Sequence, residues 1–137
     1  MCLLLCGGVN LEADAEELEK ATTGSYYFQA TKKGAIRKDI AANGYDFRLT
    51  SSHCDCSTNL GRGDLEDPEV IELADTIERL SRVGGVRSIY LVMYVTGRPL
   101  KGSIKVKLDE IDVGEFVATI QDLKFYEIIV SSCKQKN

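Results

Sequence analysis

The sequence has little of what defines several large classes of protein. It contains two prolines, one histidine and no tryptophan among 137 residues. Its longest apolar stretch, Ser88 to Val95, is far shorter than the roughly 20 apolar residues of a membrane-spanning helix. No basic segment precedes the short apolar run at Leu3, so no secretory signal is expected. We therefore expect a small soluble protein of the cytoplasm, without contact to a membrane.

Positive charge is also scarce. Seventeen lysines and arginines stand against 21 acidic residues, which gives a formal net charge of -4. This balance argues against a nucleic-acid-binding protein, because such proteins usually present a basic surface. Hydrophobic residues make up 44% and charged residues 28%, values that are typical of a folded domain. The length predicts a single α+β domain over residues 1–137.

The hydrophobic pattern predicts regular elements most clearly in the second half of the chain. Asp67 caps a helix whose first position is Pro68, and apolar residues then recur at helical spacing. Ser88 to Thr96 is apolar on both faces, which indicates a central strand. Ser103 to Leu108 alternates apolar residues with lysines, so we expect an edge strand that resists pairing with another chain. A further helix up to Leu123 and a last strand follow.

From Tyr45 onward the predicted order is strand, helix, strand, strand, helix, strand. This order is typical of a ferredoxin-like βαββαβ core in a two-layer α/β sandwich. The first 44 residues add a strand–helix–strand extension and a short helix over residues 36–43. We expect its first strand to end at Gly7-Gly8 and Asn10 to cap the helix that follows.

The five cysteines are the most informative feature for chemistry. Their odd number argues against a disulfide framework. Cys54 and Cys56 lie beside His53, the single histidine, in a polar stretch without hydrophobic period. Thiolates and imidazole together are ligands for zinc or another soft metal. The pair is separated by one residue, which is closer than the usual spacing in structural zinc sites.

A closed metal site needs more ligands than this pair supplies. Cys6 is expected at the carboxyl end of the first strand, and Cys54 follows the carboxyl end of another strand. If these strands are parallel neighbours, Cys6, His53, Cys54 and Cys56 meet at one rim of the sheet. The predicted metal ligands are these four residues. The alternative for Cys6, which follows three leucines, is that it fills the core.

Two other functions remain open at this stage. The protein could be an interaction module or a homodimer in which the cysteines are incidental. It could also be an enzyme with a cysteine nucleophile, although the sequence singles out no catalytic residue and no small-molecule ligand. Ferredoxin-like domains include soft-metal carriers with cysteines after the first strand, an analogy at the level of the fold only.

Overall fold

The computed structural model describes residues 3–10, 12–22, 29–31, 44–48, 60–95 and 97–130. Its elements, in chain order, are β1 (Leu3–Asn10), α1 (Ala15–Thr22), β2 (Gln29–Thr31), β3 (Gly44–Arg48), α2 (Pro68–Leu80), β4 (Ser88–Val95), β5 (Gly102–Lys107), a 3-10 turn (Leu108–Glu110), α3 (Val113–Ala118) and β6 (Lys124–Ile129). The order predicted from Tyr45 onward is therefore confirmed. The helix predicted over 36–43 lies outside the described residues. None of the described helices could cross a membrane by its length and apolarity.

The strands form one six-stranded mixed sheet in the order β2-β3-β1-β4-β6-β5. Neighbouring strands are antiparallel except β5 and β6, which run parallel. The three described helices pack on one face of the sheet, so the predicted α+β architecture is confirmed. The core between these layers includes Leu18 of α1, Ile77 of α2 and Val117 of α3, with Leu91 and Ile128 of the sheet.

The predicted ferredoxin-like arrangement is not confirmed. That arrangement would pair β4 and β5 as a hairpin, whereas β6 lies between them here. Leu123 leads the chain into this position. Its N–H donates to the Met93 carbonyl at 2.6 Å, and its carbonyl accepts from the Lys101 N–H at 2.6 Å. Leu123 adopts a left-handed φ of 63°, which is uncommon for a branched side chain.

The N-terminal segment does not extend the edge of a finished sheet. β1 lies between β3 and β4, near the centre. The expected strand end at Gly7-Gly8 is wrong, because β1 continues to Asn10. The expected cap at Asn10 is also wrong, because α1 begins at Ala15 and the Asp14 carboxylate accepts from the Glu17 N–H. Both glycines pair with β3 on one side and β4 on the other. The two backbone ladders therefore offset the weak strand propensity of glycine.

Three local predictions are confirmed in detail. The Asp67 carboxylate accepts from the Glu69 N–H at 2.8 Å, and Pro68 takes the first helical position of α2. β4 is central, between β1 and β6. β5 is an edge strand whose Lys105 and Lys107 are exposed.

Asn10 connects β1 to the loop between α2 and β4. Its side chain is buried, and it makes four hydrogen bonds. Nδ2 donates to the Gly85 carbonyl at 2.9 Å and to the Glu12 carboxylate at 3.0 Å. Oδ1 accepts from the N–H groups of Arg87 at 2.7 Å and Ser88 at 3.2 Å. The amide thus uses all its hydrogen-bonding capacity.

Glu12 and Arg87 add an ion pair at the surface of this network. The hydrogen bonds from Arg87 and Asn10 lower the pKa of Glu12 below its ordinary value. Gly85 lies against the backbone of Glu12 and has a left-handed φ of +82°. A Cβ at this position would collide with the Glu12 carbonyl. Close approach of the two backbones therefore requires glycine at this position.

We predict that Asn10→Ala lowers the free energy of unfolding by about 2–3 kcal/mol, because partly buried backbone groups lose their partners. Chemical denaturation would measure this loss. Glu12→Ala is the control and should cost clearly less, since the Glu12 and Arg87 side chains are 56% and 59% exposed. Equal losses for the two variants would contradict the role given to Asn10.

Gly85 and Gly97 form a matched pair for a second prediction. Their φ angles are +82° and +83°, so alanine is equally strained at either position. A Cβ at Gly97 meets no atom of the described residues within 4 Å. Gly97→Ala should cost about 1 kcal/mol, and Gly85→Ala roughly a further 1–3 kcal/mol because the Glu12 backbone must move. Similar unfolding midpoints would show that the close approach is unimportant.

Candidate interaction groove

A groove of about 850 Å³ runs along one flank of α2 on the helical layer. Ile71, Ala74 and Glu78 of α2 line it at spacings of three and four residues, so they share one side of the helix. The opposite wall comes from the 3-10 turn and the start of α3, with Ile111 and Val113. The core-facing side of α2 carries a different set, which includes Leu73 and Ile77.

The end of the groove near the C-terminus of α2 is built by α1 and the loop that Asn10 holds. The Glu17 carboxylate accepts from the Gly84 N–H at 3.2 Å, and the Asp14 N–H donates to the Gly84 carbonyl at 2.8 Å. Glu17 and Gly84 both line the groove. The hydrogen bonds therefore fix the position of a carboxylate at this end.

The other end of the groove is set by the segment before α2. The Gly63 N–H donates to the Ala118 carbonyl at the end of α3, at 2.7 Å. The Asp64 carboxylate then accepts from the Glu66 N–H at 3.0 Å and closes a turn around Leu65. These contacts hold Leu65 at the mouth of the groove.

Two large apolar side chains of the groove are exposed. Leu65 and Ile71 are each 54% exposed, and they are the large hydrophobic residues that the described part of the chain leaves in solvent. By contrast, Leu73 and Ile77 on the neighbouring side of α2 are fully buried. Clustered exposed apolar residues with a polar rim are typical of an interaction site.

The rim of the groove is mainly acidic. Four described acidic side chains line it, Glu17, Asp75, Glu78 and Asp112, together with one basic side chain, Arg82. All five are exposed. Arg82 forms an ion pair with Glu78 at 3.7 Å.

Cys6 lies on the opposite face of the sheet, and its position differs from the one expected from the sequence. Cys6 lies in the middle of β1, not at its carboxyl end, and β1 and β3 are antiparallel rather than parallel. Cys6 is fully buried in a small cluster with Val92, against Tyr90, Tyr94, Leu100 and Phe125. Burial, aided by the charge of Glu127, raises the pKa of the Tyr90 phenol on this face.

His53, Cys54 and Cys56 lie outside the described residues, so the structure does not test whether they join Cys6. The Cα of Cys6 pairs with that of Arg48, the last described residue of β3. Within the described ranges, no group of three histidine, cysteine or acidic residues is arranged to hold a metal ion.

No protein family, curated protein or solved structure shows significant similarity to this chain. The site is therefore interpreted from its own geometry. The sequence patterns did not indicate a functional role for Leu65 or Ile71. A signal was present for Ile71, because it lies off the apolar stripe of Val70, Ala74 and Ile77 that predicts α2.

Proposed function

We propose that this protein is an interaction module that holds a segment of a partner protein in the groove along α2. The observation that carries the proposal is the exposure of Leu65 and Ile71 in one groove. A folded chain gains stability by burying such side chains, so their shared exposure is best explained by a partner that covers them. An interaction module was one of the alternatives that the sequence left open.

The geometry favours a macromolecular partner over a small molecule. Small-molecule sites are usually concave and enclose most of their ligand. Here Leu65 and Ile71 are each more than half exposed at an open groove, so a small ligand would leave much of their surface in solvent. The rim residues Asp75 and Arg82 are exposed as well, as in the polar rim of a protein interface.

The test is selection of binding peptides from a random library on the whole protein. We expect the enriched peptides to lose at least about tenfold in affinity for a Leu65→Ser/Ile71→Ser variant, because the apolar area they bury is removed. Pro99→Ser is the control, since Pro99 is exposed outside the groove and its replacement should leave binding unchanged. Thermal unfolding would verify that each variant is folded. Peptides that bind both proteins equally would refute the proposal.

We propose as a second function a metal or thiol site formed by Cys54 and Cys56, with Cys6 and His53 as further ligands. Its support is the clustering of two thiols and the single histidine, and the position of Cys6 opposite the end of β3. Zinc or another soft metal fits such ligands. A cytoplasmic location belongs to the same proposal, because thiols stay reduced there.

Metal analysis of the purified protein tests this second proposal. We expect about one zinc per chain, lost in Cys54→Ser/Cys56→Ser and retained in the control Cys2→Ser. A Cys6→Ala variant that keeps its metal would remove Cys6 from the ligand set. Metal-free protein with one fast-reacting thiol would favour a cysteine nucleophile instead, and protein with neither property would make the cysteines incidental.

A further inference from the structure

The charges of the groove are unbalanced. Arg82 pairs with Glu78, which leaves the carboxylates of Glu17, Asp75 and Asp112 without a described cation on the rim. Two of these are held in place by backbone groups, because Glu17 accepts from the Gly84 N–H and Asp112 from the Glu115 N–H. The groove therefore presents a fixed excess of negative charge around an apolar floor.

The shape of the groove suits a helix. Residues three and four positions apart on α2 form the ridge against which a second helix packs. Ile71, Ala74 and Glu78 provide such a ridge, and the 3-10 turn and α3 provide the facing wall. α2 has 13 residues and is therefore about 20 Å long. A partner helix of about 14 residues would span its full length.

We infer that the groove binds a cationic amphipathic helix of a partner protein. This inference rests on the proposed function and specifies the chemistry of the partner. The apolar side of the helix covers Leu65 and Ile71, and lysines or arginines at its margins face Asp75 and the other carboxylates of the rim. Binding by an amphipathic helix in an apolar groove is a general mode of recognition.

Among the described elements, none offers a basic helix that a second copy of this chain could place in the groove. The exposed side of α1 carries Glu16 and Glu17, and Asp14 precedes the helix, so the rim would repel this surface. Lys105 and Lys107 belong to strand β5, where they alternate with half-buried apolar residues. They therefore cannot supply the basic face of a helix.

Three synthetic peptides test the inference. Each has about 14 residues, which is enough for a helix that spans α2. They share the same leucines at helical spacing and carry lysine, glutamine or glutamate at the flanking positions. Fluorescence anisotropy with the whole protein measures their affinities. We expect the lysine peptide to bind about tenfold more tightly than the glutamine peptide at low salt, and the glutamate peptide most weakly. At roughly 0.5 M salt the preference should fall to about twofold, because exposed charges are screened.

Two matched double variants locate the charge effect. Asp75→Asn/Glu78→Gln should weaken the lysine peptide by about fivefold and leave the glutamine peptide unchanged. Glu66→Gln/Glu72→Gln removes the same net charge from exposed positions outside the groove and should change neither affinity by more than about twofold. Leu65→Ser/Ile71→Ser should weaken all three peptides.

The outcomes separate this inference from the proposed function. If lysine and glutamine peptides bind equally and both need Leu65 and Ile71, the groove is an interaction site and the cationic partner is wrong. If the lysine peptide binds equally to Leu65→Ser/Ile71→Ser, both proposals are overturned. If no peptide binds and the protein is a dimer that this same variant dissociates, the occupant is a second copy and the inference fails.

Discussion

The buried side chain of Asn10 connects the end of β1 to the loop between α2 and β4, which lies 75 residues further along the chain at Gly85. It holds the end of β1 against the start of β4, contacts Glu12 before α1, and binds the Gly85 carbonyl in the loop after α2. Because the amide is buried and fully hydrogen-bonded, no water or alternative partner replaces these bonds without loss of stability. The position of the loop after α2 relative to the central strands depends on this side chain.

The groove depends on the same contacts. Asn10 and the left-handed Gly85 bring the loop after α2 close to α1, so that Gly84 can bind the Asp14 N–H and the Glu17 carboxylate. The acidic end of the groove is therefore a consequence of how β1 and β4 are joined. A change that loosens this junction should alter the binding surface as well as the stability of the fold.

The groove and Cys6 lie on opposite faces of the sheet. The groove lies on the helical layer, where Leu65 and Ile71 are exposed. Cys6 lies on the other face, with Val92 and a tilted pair formed by Tyr90 and Phe125 at 5.7 Å. Since the sheet separates the two faces, binding in the groove would not involve the Cys6 thiol.

The sequence is sufficient to predict the elements whose signals are local. Asp67 and Pro68 define the start of α2, and alternating lysines mark β5 as an edge strand. It did not determine that β1 passes through Gly7 and Gly8 into the centre of the sheet, or that Leu123 directs β6 between β4 and β5. It also predicted the helix that lines the groove, but neither the groove nor the exposure of Leu65. Those features were decided by the tertiary structure alone, because strand neighbours and solvent exposure depend on backbone hydrogen bonds and packing between residues that are distant in the chain.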